Sequence, residues 1–451
     1  MRVNQVDFYY VRIPLAEKRP GFFAEHPYFE PSWIPGFRQS EVRFYLLRLK
    51  TDSGQEGCAA MPAMGTERFG LGKVIGPYLL GIDPLDIGLV NQRIQELSYV
   101  GMRNGWIDAA FWDLIGKSRG EPLWKVLGGT GGQVEPYAST GETHNHDPAV
   151  VRELVRARMA EGFKGIKLRV KHHQLEPMLA YVAAAREEAG GEMKIMVDAN
   201  QGWPVDLVDE TPKWGRDFAA AFAKGIEPYD VYWLEEPLNR GDFDGLAQLR
   251  ANTTVPIAGG EMNASWGDFK RMFELESLDV FQPDAVLAGG TYAGGISVVS
   301  WIIAEILARR KAAPRPAYQP RFSPHTWTTG LGFVIGLHLV GVLPEEERSL
   351  VEYPLEGPWK PAYWGRYIKD LPQRTDNGRI AIPDGPGLGV EIDWDIIRRF
   401  GKRIYHGTKR TVSLHVLIDR GLKATLHLKK KREAAESRRK PLRFTLPVPP
   451  F

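Results

Sequence analysis

Acidic side chains close a series of short apolar runs. Asp198 ends KIMVD, Glu235 and Glu236 end VYWLEE, and Glu261 ends PIAGGE. If these runs are neighbouring parallel strands, their carboxyl ends crowd round one pocket. Three carboxylates brought together there repel one another unless a cation sits among them. Oxygen ligands with no Cys or His nearby select a hard ion, Mg2+ ahead of Ca2+ or Mn2+. For any one acid, capping a helix or pairing with a lysine is the plainer role; three on consecutive strands favour the metal. Asp284, ending VFQPD, and His325, in SPHTW on the next run, form a second set. A carboxylate behind an imidazole fixes its tautomer and raises its basicity. Glu352, ending SLVE, adds an acid to the same rim, as a donor when protonated or as the partner of a rim cation. In GFKGIKLRV, Lys167 and Arg169 stand two residues apart and therefore share one face of a strand. Arginine keeps its proton to about pH 12, so Arg169 is a clamp or an electrostatic stabiliser, and a poor base.

These residues need a scaffold that brings strand ends together. Apolar runs at 134–140, 165–170, 194–200, 231–237, 256–261, 280–286, 317–323 and 349–354 alternate with helical patterns such as AVVRELVRARMAEG and ISVVSWIIAEILARRK. That alternation predicts βαβ units and a (β/α)8-type barrel over 126–370, with one helix missing or altered. A doubly wound sheet is the alternative, weakened by the lack of a GxGxxG after the first strand. Residues 1–125 mix strand-like and helical segments and form a separate α+β domain. Residues 15–41, rich in Pro and aromatics with little periodicity, read as a long functional loop or lid.

The chain has 451 residues and a net charge of +3. Residues 402–451 hold 14 Lys/Arg against 3 Asp/Glu, or +11, which leaves 3 − 11 = −8 for the rest. In this basic tail Val412, Leu414, Val416 and Ile418 alternate, DRG reads as a turn, and LKATLHLK follows, which predicts a β-hairpin. Hairpin edges add strands to a neighbouring subunit, so an arm of a homo-oligomer is expected. Few aromatics accompany the charge, which argues against nucleic acid. Cys58 is the only cysteine, no run is apolar enough to span a bilayer, and the first residues lack a signal-peptide pattern. A cytoplasmic enzyme with no membrane partner is expected.

Taken together the motifs resemble the enolase superfamily, in its mandelate racemase-like subgroup. The residues that carry the resemblance are K-L-R at 167–169, VDANQ with Asp198 and Asn200, WLEEP, GGE, PDAVLAGG, SPHTW and DGPGLGVEID. The separations match those of the family, apart from insertions between Asp198 and Glu235 and between Asp284 and His325. The resemblance implies that Asp198, Glu235 and Glu261 bind Mg2+, that Asp284–His325 is a base dyad, and that Glu352 lies near a substrate carboxylate. It also implies that 1–125, completed by 371–400, caps the barrel. A Lys or His base beside Mg2+ is a known pattern of this superfamily. The second lysine of its K-x-K unit serves one face of the substrate and the dyad His the other. Arg169 in that place takes away the simplest two-base route and leaves a one-base route. The expected reaction is dehydration of a sugar acid by His325 to a 2-keto-3-deoxy acid, with a racemase, epimerase or cycloisomerase as the alternative. Asn200, Tyr137 and Thr140 are the expected substrate contacts, with His144, His172 and His173 nearby.

Overall fold

A computed structural model describes residues 1–15, 39–98, 103–140, 146–170, 174–203, 213–289, 294–312, 318–355 and 359–438. The eight apolar runs form one parallel sheet. Strands Pro136–Ser139, Gly165–Arg169, Lys194–Asp198, Val231–Glu235, Ile257–Gly259, Val280–Phe281 and Arg321–Phe322 lie side by side in chain order, and Val351–Pro354 pairs with the first. Between the seventh and eighth strands the closure is made by side chains. Ser323 Oγ donates to the Leu350 carbonyl at 2.7 Å, and Thr326 Oγ1 to the Glu352 carbonyl at 3.0 Å. A helix follows each of the first seven strands, from Pro148–Ala160 to Gly330–Val340; the eighth is followed only by the four-residue turn of helix Pro361–Trp364. The barrel with an altered last helix is therefore the observed fold.

Strand geometry explains how the barrel separates core from chemistry. Residues two apart share a face, so each inward pair stacks a lower residue under an upper one. Tyr137, Met196, Trp233 and Leu350 pack together inside, and two residues further along their strands come Ser139, Asp198, Glu235 and Glu352. The lower positions fill the barrel with bulk, and the upper positions carry polar groups to its carboxyl end. Gly165 makes room for this layer: a Cβ there would sit 3.0 Å from both Tyr137 Cβ and Leu350 Cδ1.

An antiparallel sheet forms the capping domain. Val3–Pro14 lies at its centre between Glu41–Thr51 and Gly401–Thr408, and Glu56–Pro62 forms an edge. Helix Asp108–Arg119 joins this domain to the barrel. Its fully buried Asp108 accepts hydrogen bonds from Ile296 N (3.2 Å), Ser297 N (3.0 Å) and Ser297 Oγ (3.1 Å) at the start of helix Gly295–Ala312. Burial raises its carboxyl to about 7 despite those donors.

The expected tail hairpin is not there. Residues 409–438 are helical, with a break at Gly421, whose φ is 76°. The alternating Val412, Leu414, Val416 and Ile418 overlap a second periodicity, Leu414–Ile418–Leu422–Leu426 at four-residue spacing, which is the helical repeat. Leu, Lys, Arg and Ala, which dominate the segment, also favour helix. The turn signal DRG survives as the helix break. Residues 402–408 of the expected tail form instead the outer strand of the capping sheet, and among the described residues after them there is no strand to add to a neighbour. Among the described residues no helix is long and apolar enough to cross a membrane.

Candidate active site

Six carboxylates meet at the carboxyl end of the barrel, and all are buried: Asp198, Glu235, Glu236, Glu261, Asp284 and Glu352. Lys167 stands among three of them with no exposed surface. Its Nζ lies 2.8 Å from Glu235 Oε1, 2.7 Å from Glu352 Oε1 and 3.5 Å from Asp198 Oδ2. Burial alone would lower the Lys167 pKa, but Glu235 and Glu352 outweigh it and hold the ammonium firmly charged. The same charge acts back on Glu352. Burial would raise this carboxyl, yet Lys167 and His325 keep it below the usual carboxylate range. Ser139 Oγ donates to its Oε1 at 2.8 Å and Thr326 N to its Oε2 at 3.0 Å. The geometry thus pairs Glu352 with a cation, one of the two roles its sequence position left open.

Arg169 takes the outer place on the same strand face. Its Nη1 donates to Asp198 Oδ2 at 2.7 Å and Asn200 Oδ1 at 2.9 Å, and its guanidinium lies over the Trp327 ring, 4.7 Å from the centroid. Asn200 sits just past the strand in a left-handed conformation, φ 48°, and its own N and Nδ2 donate to Asp198. The local turn thereby fixes the carboxylate's orientation.

His325 and Asp284 meet as expected, with Nδ1 and Oδ2 2.8 Å apart. The other ring nitrogen is 3.7 Å from Glu261 Oε2. Burial pulls the imidazole pKa down, but Glu261, the Asp284 hydrogen bond and Glu352 raise it to about 9. The Asp284 carboxylate is itself anchored, accepting from Val286 N at 2.7 Å.

The donor types suit a hard cation, although among the described residues no three His, Cys, Asp or Glu side chains stand close enough together to hold a metal ion as they are. Burial, with the charges of Asp198, Glu352 and Glu261, pushes Glu235 up against the pull of Lys167. Glu236 is raised further, by burial and then by Glu261 and Asp198, and neither of its oxygens has a hydrogen-bond partner. Burial and mutual repulsion thus oppose the ionisation of Glu235 and Glu236, because Lys167, Arg169 and His325 do not supply enough positive charge for all six carboxylates to ionise together. A divalent ion among these carboxylates would favour their ionised forms and would place positive charge near the unpartnered oxygens of Glu236.

The other sequence candidates divide. Thr140 Oγ1 donates to the Lys167 carbonyl at 3.3 Å, so it braces the second strand. Tyr137 is wholly buried in the inner layer, edge-on to Trp233 with ring centroids 5.5 Å apart. It packs beneath the carboxylates, because it lies one inward position below Ser139. His144, His172 and His173 lie outside the described residues, as does 16–38 of the expected lid. Residues that the motifs did not suggest complete the site. Gln282 Nε2 (2.8 Å) and Trp233 Nε1 (3.0 Å) both donate to Glu235 Oε2, Trp327 Nε1 donates to Ser139 Oγ (3.0 Å), and Trp203 Nε1 to Glu261 Oε1 (3.4 Å). Trp233 and Gln282 had a signal in the sequence: Trp233 stands two residues before Glu235, and Gln282 two before Asp284.

A parallel barrel with a capping sheet, strand-end carboxylates and a His–Asp dyad defines a class of lyases and isomerases that work beside a carboxylate. Within it, the chain belongs to the mandelate racemase/muconate lactonizing enzyme family of the enolase superfamily. Residues 149–396 match the enolase C-terminal domain-like model, and 24–128 match the mandelate racemase/muconate lactonizing enzyme N-terminal domain. L-talarate/galactarate dehydratase of Salmonella typhimurium is 30% identical over 384 residues, covering 81% of this chain and 85% of that protein. D-galactarolactone cycloisomerase of Agrobacterium fabrum is 28% identical over 388 residues, covering 81% of this chain and 94% of that protein. The fold also matches the structure of L-talarate dehydratase from Polaromonas sp. JS666 complexed with Mg and L-glucarate. That match has a TM-score of 0.68 and 23% identity, and covers 91% of this chain and 99% of the other.

Proposed function

We propose that the protein is a Mg2+-dependent acid-sugar dehydratase, a carbon–oxygen lyase. It removes the proton α to the carboxylate, expels the β-hydroxyl as water and releases a 2-keto-3-deoxy acid. The observation that carries the reading is the asymmetry of the site. A neutralisable base, His325 on Asp284, stands by Glu261, while the Lys167–Arg169 side offers two fixed positive charges bound to carboxylates. Relatives named for talarate or galactarate and for arabinonate dehydration support the reaction class.

Asp198, Glu235 and Glu261 would hold the metal, which supplies positive charge to the substrate carboxylate as negative charge develops at the α-carbon. Lys167, fixed by Glu235 and Glu352, adds a preorganised charge to the same region. Arg169 is pinned by Asp198 and Asn200 and cannot accept a proton at working pH. His325 takes the proton at Nε2, while Asp284 holds Nδ1–H and stabilises the imidazolium that forms. Glu261 heads the charges that raise this imidazole, so a cation held by Glu261 would offset that effect and favour the neutral ring as base. Once charged, His325 can return the proton to the leaving hydroxyl, which balances the elimination: a C–H and a C–O bond break, and water leaves.

A screen of acid sugars with Mg2+, reading 2-keto acid formation, tests the reaction. Dehydration that persists in full in His325→Asn rules out the assignment of the base. The second reading, an isomerase on the same platform, draws on the cycloisomerase relative. Product of unchanged mass, with no 2-keto-3-deoxy acid released from any substrate, favours it.

A further inference from the structure

The family models end at residue 396, so the helix Lys409–Arg438 is an addition to the catalytic fold, and the proposed chemistry makes no use of it. It holds most of the exposed large apolar side chains of the described chain. Of nine such residues, Leu414, Leu417, Ile418, Leu422, Leu426 and Leu428 lie on this helix, and only Met64, Tyr78 and Leu85 lie elsewhere. Ile418 is 71% exposed and Leu422 62%, which is unusual for residues that normally drive packing. Val412 is different: it packs against the core. The segment is thus two helices that meet at Gly421, held to the body near Val412 and otherwise largely exposed, and each carries aliphatic side chains in the open. The spacing is helical on either side of the break, with 414, 417 and 418 before Gly421 and 422 and 426 after it.

Charge selects the occupant. Residues 409–438 hold nine Lys/Arg against three Asp/Glu, and Arg420, Lys423, Lys429 and Lys430 lie beside the apolar positions. Two copies pairing through this helix would bring like charges together. A polyanion such as nucleic acid meets the lysines but offers nothing to six aliphatic side chains. The interface of an anionic bilayer offers both, with acidic headgroups above and hydrocarbon just below. We infer that the two helices of Lys409–Arg438 dock the enzyme on an anionic lipid surface, with Leu414 and Ile418 of the first and Leu422 and Leu426 of the second inserted. No helix in the described residues can span a bilayer, so the attachment is peripheral and reversible.

The test is cosedimentation of the full chain with vesicles of phosphatidylglycerol and phosphatidylcholine, and with vesicles of phosphatidylcholine alone. The parent binds the anionic vesicles at least about tenfold more tightly than the neutral ones and is released by high salt. The Ile418→Asp/Leu422→Asp variant loses about tenfold or more of that binding. Both positions are exposed, so its thermal midpoint and dehydratase rate stay those of the parent. Absence of binding to anionic vesicles, equal binding to neutral ones, or full binding by the variant overturns the inference. So does a concentration-dependent doubling of mass that the variant abolishes, since a second copy then covers the stripe. Saturable binding to poly-glutamate that matches the vesicles and is unchanged in the variant shows charge acting alone, and likewise overturns it.

Discussion

His338 offers a sharp test of the barrel's coupling to its cap. It lies in helix Gly330–Val340 with no exposed surface. Its Nδ1 accepts from Trp124 N at 3.3 Å and its Nε2 is 3.0 Å from the Leu388 carbonyl. Nε2–H is therefore the donor and Nδ1 the acceptor, an arrangement only the neutral ring can make. Burial lowers its pKa from 6.5 to about 4, with the Leu388 bond a smaller opposing effect. In the unfolded chain the ring titrates near 6.5, so between pH 6.5 and 4 the unfolded state binds more protons than the folded one. Stability from this group is complete above pH 6.5 and is lost as pH falls towards 4. At 1.36 kcal/mol per pH unit the loss totals about 3 kcal/mol. His338→Gln keeps one donor and one acceptor but cannot titrate. Urea unfolding of both proteins at neutral pH and near pH 4 separates this group from the carboxylates common to both. The variant's stability should fall by about 3 kcal/mol less than the parent's across that range. Equal losses would refute the assignment of a buried, neutral His338.

Four further outcomes follow from the same geometry. Lys167→Met leaves Glu235 and Glu352 without their shared cation; turnover drops by about a hundredfold or more, and urea stability of the metal-free protein by about 3 kcal/mol. Asp108→Ala strands the amides of Ile296 and Ser297 and costs about 2–4 kcal/mol, read as a lower urea midpoint. Arg169→Lys places a titratable amine on the second face; dehydration slows by about tenfold, and epimerised substrate appears by NMR. Chelation with EDTA abolishes turnover, and added Mg2+ restores it ahead of Ca2+.

The acidic rim of the barrel was readable in the sequence because strand periodicity and parallel topology do most of the work. An acid at the end of each run has nowhere to go but the barrel mouth, so Asp198, Glu235, Glu261, Asp284 and Glu352 all arrive there buried. Tyr137 misled because the face a residue shares does not tell its depth, and two residues along a strand separate the core layer from the rim. Gln282 holds Glu235 from the end of another strand, a contact no single segment encodes, whereas Trp233 holds it from two residues earlier on the same strand. The tail misled for a different reason. Val412–Ile418 satisfies a period of two and a period near four together, and in so short a run propensity, not alternation, decides.

In the proposed reaction His325 alone takes the α-proton, and Arg169 leaves the opposite face without a base. Partial turnover of an acid-sugar substrate in D2O, followed by NMR of the recovered substrate, tests it directly. With one base, any deuterium at the α-carbon enters with retained configuration, and both exchange and 2-keto acid formation vanish in His325→Asn. Epimerised substrate from the parent enzyme, or exchange that survives in His325→Asn, would contradict it.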